Sequence, residues 1–200
     1  MSILKTNQIQ TTAGKPILHS TGGIIQVVST FYGDRFTSSS TSWTDITSFN
    51  VSITPSSSSN KIYLMCCMGA AGVQQSSLDH AAGVRQSNLD HGNGIRVMRS
   101  IGGGSYSDNN KLNGPSAGSR QRITYKGAGW SYNSDHMPGG LSFCGLDDPA
   151  TTSAVTYKLQ VLCQSGSHPF SLNRPPNNAD AGHIYASACM SSLTVMEVTA

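Results

Sequence analysis

VTYKLQVLCQ, residues 155–164, alternates apolar and polar side chains along its length. Val155, Tyr157, Leu159, Val161 and Cys163 fall on one face, with Thr156, Lys158 and Gln160 on the other. A period of two marks an extended strand with one face on a core, and one-sided burial is the habit of antiparallel sheets. Working outward, TDITSFNVSIT at 44–54 repeats the pattern. Ile46 is followed by Phe49, Val51 and Ile53 after a one-residue phase change, and Pro55 with a serine run stops it. IIQVVSTF (24–31), KIYLMCCM (61–68), GIRVMRS (94–100), RITYK (122–126), LSFCGL (141–146) and SLTVMEV (192–198) read the same way, with 61–68 as a buried central strand. No window carries a sustained i, i+3, i+4, i+7 apolar stripe. The sequence therefore predicts an all-β chain, a jelly-roll-like antiparallel β-sandwich. Such a sandwich has edge strands, and closed packing of several copies covers them.

Composition narrows the function classes. With 37% hydrophobic residues, 200 residues suit one domain, while charged residues are only 12%, about half the usual share. Hydroxyls and amides fill the gap, the texture of many extracellular and viral structural proteins. The net charge of +3 comes from scattered Lys and Arg, which argues against nucleic-acid binding. No stretch approaches the roughly 20 apolar residues of a membrane span, so no membrane insertion is expected. Lys5 is not followed by an apolar run of signal-peptide length. The five cysteines are odd in number and lack CxxC spacing; Cys66 and Cys67 would point to opposite faces of a strand. They read as thiols of a protein made in a reducing cytoplasm.

Segments 69–93, 102–120, 127–140 and 165–183 read as long loops, and long loops are often functional. The first contains a tandem duplication: AAGVQQSSLDH (70–80) is followed by AAGVRQSNLDH (81–91). It reads as a duplication in a permissive surface loop pointing away from the core. Asp79–His80 and Asp90–His91 offer four potential metal ligands, but duplication alone accounts for the pairing, and no established metal motif is present. Neither metal nor cofactor is expected.

Catalysis has little to stand on. Glu197 is the single glutamate and lies in an alternating strand, Asp147–Asp148 precedes Pro149 as a turn, and no GxSxG elbow or phosphate-binding loop occurs. The chain reads as a non-enzyme. Recognition is better served. GAGWSYNSDHMPGG (127–140) gathers Trp130, Tyr132, Asn133, Asp135 and His136. An aromatic ring can meet the apolar face of a sugar while amide and carboxylate groups take its hydroxyls, so this is the candidate receptor-binding loop, with a host-surface glycan as its ligand. The alternative is that Trp130 folds back over one end of the sandwich. Trp43, beside a strand, reads as core.

Residues 1–23 stand apart. They are polar and Thr/Gln/Gly-broken, yet carry spaced apolar residues including Leu4, Ile9, Ile17 and Leu18. That pattern predicts an extended N-terminal docking arm ahead of a β-domain at 24–200.

LKTNQIQTTAGKPIL (4–18), GGIIQVV (22–28), FNVSITPSSSSNKIYLM (49–65), SFCGLDDPATTSAVTYKLQ (142–160) and SSLTVMEV (191–198) resemble small tail-fibre and virion structural proteins of marine and cyanobacterial tailed phages. The resemblance covers about half of the chain and passes over the duplicated loop and 165–183. It implies a homotrimer, an N-terminal segment docking on other phage structural proteins of tail or capsid, and a β-domain facing outward. The chain would be assembled in the host cytoplasm and carried on the virion. A capsid decoration protein that stabilises the shell, and a carbohydrate-binding or carbohydrate-active protein, are the alternatives.

Overall fold

The computed structural model describes residues 22–74, 93–108, 110–126, 129–131, 139–164, 166, 169–175, 177 and 180–200. In chain order its strands are β1 (Ile24–Tyr32), β2 (Phe36–Ser38), β3 (Thr44–Ile53), β4 (Lys61–Met68), β5 (Ala71–Gln74), β6 (Asn93–Ile101), β7 (Tyr125–Lys126), β8 (Gly129–Ser131), β9 (Leu141–Asp147), β10 (Val155–Cys163), β11 (Phe170–Leu172) and β12 (Ser191–Val198). The strands read from the sequence form two sheets of four, in the orders β1-β12-β4-β9 and β3-β10-β6-β7, with the strand read at 122–126 reduced to Tyr125–Lys126. Every pairing within these two sheets is antiparallel.

Alternation decides which side chains fill the space between the sheets. From β10 come Val155, Tyr157, Leu159, Val161 and Cys163; from β4 come Ile62, Leu64, Cys66 and Met68. β4 is central in its sheet, as expected, but only its inner face is fully buried. Tyr32 stacks on Phe49 with ring centroids 4.8 Å apart. The phase change in 44–54 is a β-bulge. Ser48 adopts φ 64°, the β3–β10 register slips between Lys158 and Gln160, and Ile46 and Phe49 both reach the core. Cys66 is buried and Cys67 exposed, as opposite faces require, and burial pushes the Cys66 thiol pKa up, with Cys67 adding to the shift.

The pairing order is nested. β1 pairs with β12, β3 with β10, β4 with β9 and β6 with β7, as in a long hairpin whose two arms lie side by side and are then wound up. Alternate connections therefore collect at opposite ends. Those joining β3 to β4 and β9 to β10 lie at one end, which also receives Gly22 and Thr199; the 102–124 connection leaves β6 at that end and returns alongside β6 to Tyr125, the partner of Ile95. Those joining β1 to β3, β4 to β6, β7 to β9 and β10 to β12 lie at the other.

Here the two-sheet expectation needs correction. Each connection at the second end contributes one short strand, and together these make a third sheet, β2-β11-β5-β8. Its pairs are antiparallel except β5–β8, which is parallel. The loops expected at 69–93, 127–140 and 165–183 thus contain β5, β8 and β11. Runs of three or four residues such as FSL and GWS are too short to show a period, and their neighbours rather than their own pattern set their conformation. The duplication is corrected in the same way. Ala70 and Ala71, which open its first copy, are buried, so that copy begins inside the fold. Residues 75–92 lie outside the described residues.

Buried polar clusters clamp the first end. Glu197, 1% exposed, accepts hydrogen bonds from the Ser56 amide (2.7 Å), the Ser56 hydroxyl (2.8 Å) and Asn60 Nδ2 (2.6 Å). Burial alone would raise the carboxyl pKa, but the hydrogen bonds from Asn60 and Ser56 outweigh it and hold the value below the ordinary glutamate range. The unfolded chain therefore takes up the proton first. Stability from this site is present in full above the unfolded pKa, near 4.5, and is lost as pH falls through the lower folded value. Urea midpoints measured from about pH 6 to about pH 3 should fall steadily, and Glu197→Gln should flatten part of the fall. Identical pH slopes in both proteins would contradict this role. Asp45 and Asp148 shift in the same direction, so the Glu197 share is read by difference.

Candidate functional site: the loop-bearing end

The third sheet gathers the segments that the sequence singles out. β5 and β8 run parallel, and their last residues, Gln74 and Ser131, are register partners. Gln74 and Ser131, the last described residues before 75–92 and 132–138, therefore lie beside each other at one side of this sheet. Trp130 lies on β8 opposite Val73; its backbone is placed, and its side chain is outside the description. Tyr132, Asn133, Asp135 and His136 lie outside the described residues, as do Leu4, Ile9, Ile17 and Leu18.

Asn173 ties this end together. It is fully buried with φ 58°, the left-handed conformation that asparagine tolerates better than most residues. Its amide nitrogen donates to Tyr32 O (2.8 Å) and Asp34 O (3.2 Å), and its side-chain oxygen accepts from Ser191 Oγ (2.7 Å). Its backbone N–H donates to Ala70 O at 2.9 Å. One side chain thus joins the ends of β1 and β12, and its backbone reaches the β4–β5 corner. The sequence carries no direct signal for this, beyond the turn-like setting of LNRPPNN. Gly69 sits at that same corner. A Cβ there would lie 2.6 Å from Met190 O and 2.8 Å from Cys189 Cβ, so the close crossing of the two segments requires glycine.

Charge at this end is sparse. Arg174 has its guanidinium pKa lowered by burial and by the like charge of Arg35. Tyr32 has its hydroxyl pKa raised by burial and by Asp34. The Cys163 thiol, whose sulfur lies 3.1 Å from Ser38 O, is also raised by burial. A buried, protonated thiol is a poor nucleophile. Among the described residues no group of three or more His, Cys, Asp or Glu could hold a metal ion. None of their helices is long and apolar enough to cross a membrane. What this end can do is present neighbouring backbone segments on a rigid base.

Trp43 departs from the expected core role. It is half-buried, donates from Nε1 to Gln121 Oε1 at 3.1 Å and lies under the Arg96 guanidinium at 4.3 Å. Gly94 leaves room for its ring edge. The ring caps the β3–β6 side of the outer surface rather than filling the space between sheets.

Compared with models of protein families and with curated proteins, the chain matches none.

Proposed function

We propose that this chain is a structural virion protein, a tail fibre or fibre-like appendage with no catalytic role. In this reading it is a homotrimer, docks on the phage particle through its N-terminal arm and presents loops to the host surface. The supporting observation is the polarity of the fold. Gly22 and Gly23 are strapped to Thr199 at one end, by Gly22 N to Thr199 O and Gly23 N to Thr199 Oγ1, each 2.9 Å. Residues 1–21 therefore join the domain at that end. Gln74 and Ser131, which precede 75–92 and 132–138, lie at the opposite end, a strand length away. For strands of this length the separation is on the order of 30 Å. Attachment and presentation are thereby kept apart on one rigid body.

The fold itself is proposed to be a jelly roll. The nested pairing supports this: counting only the strands of the two large sheets, first pairs with last, and each pair inward follows suit. Viral capsid proteins and lectins both use that architecture. A carbohydrate-active enzyme is less well served, because Glu197 is held under the 56–60 turn by three hydrogen bonds and faces no cleft.

The adsorbing element is the aromatic loop around Trp130 and Tyr132, with avidity as the mechanism. Three weak sites on a trimer, repeated around a particle, hold a surface far better than one. Particles carrying Trp130→Ala with Tyr132→Ala should adsorb to host cells at least about tenfold more slowly, while particle yield and fold are kept. Unchanged adsorption would show that the aromatics only cover the end of the sandwich.

A further inference from the structure

The two outer faces of the sandwich differ in chemistry. On the β3-β10-β6-β7 sheet the outward positions are mostly polar and interlinked, with Met98 and Leu162 as apolar exceptions, and Met98 is buried. Lys158 and Gln160 both reach Asp45 at 2.7 Å, and Arg96 reaches Gln160 at 2.8 Å. That is an ordinary solvated face. On the β1-β12-β4-β9 sheet the pairing register runs Val27–Met196–Tyr63–Leu146 straight across all four strands. Val27 is 56% exposed and Leu146 47%, and Phe31 on the same face of β1 is 70% exposed. Apart from Lys61 at one corner, the outward positions of these strands carry no charge, and Lys61 is neutralised by Asp148 at 2.6 Å. Ser29 and Thr194, two of the few polar groups, hydrogen-bond each other at 2.8 Å. Among the described residues β1 is also an edge strand, and it carries no charge or proline that would guard that edge. Near the loop-bearing end a pocket of about 280 Å³, lined in part by Phe31, Cys67 and Met190, opens on this face.

We infer that this outer face is the contact between copies of the chain. Four strands about 4.8 Å apart and eight residues long span roughly 19 by 26 Å, and side-chain relief adds to that plan area. The plan area, about 500 Å², lies toward the upper end of the apolar patches that soluble monomers expose and, with side-chain relief, approaches the about 800 Å² per partner of a standard interface. Its neutrality suits an equally uncharged surface and gives no attraction to an acidic peptide, nucleic acid or anionic lipid. The inference rests on the proposed function for one step. If the arm holds one end and the loops occupy the other, copies around a common axis must meet through a side. Of the two sides only this one is apolar. The pocket then accepts an apolar side chain of the neighbouring copy.

The full chain should sediment as an oligomer at about ten micromolar, a concentration at which a standard-size contact is populated. Val27→Asp and Leu146→Lys, on opposite edges of the sheet, should each reduce it to a folded single chain, whereas Asn50→Lys on the polar face should leave the mass unchanged. Cys67 and Cys144 give a readout without any variant, because both are exposed on this face of the single chain. Their labelling by a maleimide should slow at least about tenfold as concentration rises into the oligomer range. A monomeric wild type, folded variants of unchanged mass, or labelling independent of concentration would each overturn the inference. A chain that self-associates through this face yet is missing from particles contradicts the proposed function and leaves the contact standing. A particle-borne chain that is monomeric contradicts the contact alone.

Discussion

Removing residues 1–18 should abolish incorporation into particles while leaving the β-domain folded. The domain is closed without them: β1 is paired to β12 from Ile24 onward, and Gly22 and Gly23 are already fastened to Thr199. The truncated chain should therefore keep its melting temperature within a few degrees. Leu4, Ile9, Ile17 and Leu18 are among the apolar residues the deletion removes, and burying apolar side chains against a partner is the main source of docking energy. If the proposed trimer repeats the attachment in each copy, losing it should reduce the amount per particle by at least about a hundredfold. Particles that carry the truncated chain at normal levels would show that attachment lies elsewhere on the domain.

Asp147→Ala should be among the most damaging single substitutions. The Asp147 side chain has no exposed surface, and it takes three donors: Arg99 Nη1 at 2.8 Å, the Tyr157 hydroxyl at 2.8 Å and the Lys111 amide at 3.1 Å. Tyr157 is itself fully buried in the core, and burial together with the neighbouring carboxylate pushes its hydroxyl pKa up, so it acts only as a donor. The carboxylate thus joins β9 to β6, to β10 and to the 102–124 connection. Removing one partner of a buried ion pair costs about 3–5 kcal/mol, because the remaining charge and donors stay behind without compensation. Against a total stability of roughly 5–15 kcal/mol, that is enough to bring the protein near unfolding. Asp147→Asn keeps the shape and part of the hydrogen bonding and should cost less. Urea midpoints measure both, and a loss under about 0.5 kcal/mol for Asp147→Ala would mean that the cluster is incidental.

How far the sequence carried depended on segment length. Seven of the eight strands of the large sheets were legible, because seven to ten residues show a period; of the strand read at 122–126 only Tyr125–Lys126 forms, and Ile123 and Thr124, the β-branched residues behind that reading, precede it. The bulge at Ser48 was visible as a phase change, and the opposite fates of Cys66 and Cys67 followed from alternation. The third sheet was not legible, since β2, β8 and β11 have three residues each and form only where the wound chain brings the connections together. Asn173 was hidden for the same reason: its partners are Tyr32, Asp34 and Ser191, remote in sequence. The 102–120 segment looked like a plain loop, yet Asn110 and Asn113 bind the Val97 backbone with their side chains and lay it along β6. The apolar outer face also escaped notice. Ile25, Val27 and Phe31 read simply as strand residues, and only the register places this part of β1 beside Met196, Tyr63 and Leu146 on a face left exposed among the described residues. Of the candidate site, its location was legible only in part: the aromatic loop was singled out, but its meeting with the duplicated segment at one end depends on the β5–β8 pairing.

The most direct measurement is an electron cryomicroscopy map of purified particles with this chain located in it. The proposal predicts three-fold clusters of the β-domain on the particle surface, with the Gly22 end toward the particle and the β5–β8 end outward. Particles without the chain, or domains whose β5–β8 end is buried against the particle, would contradict it.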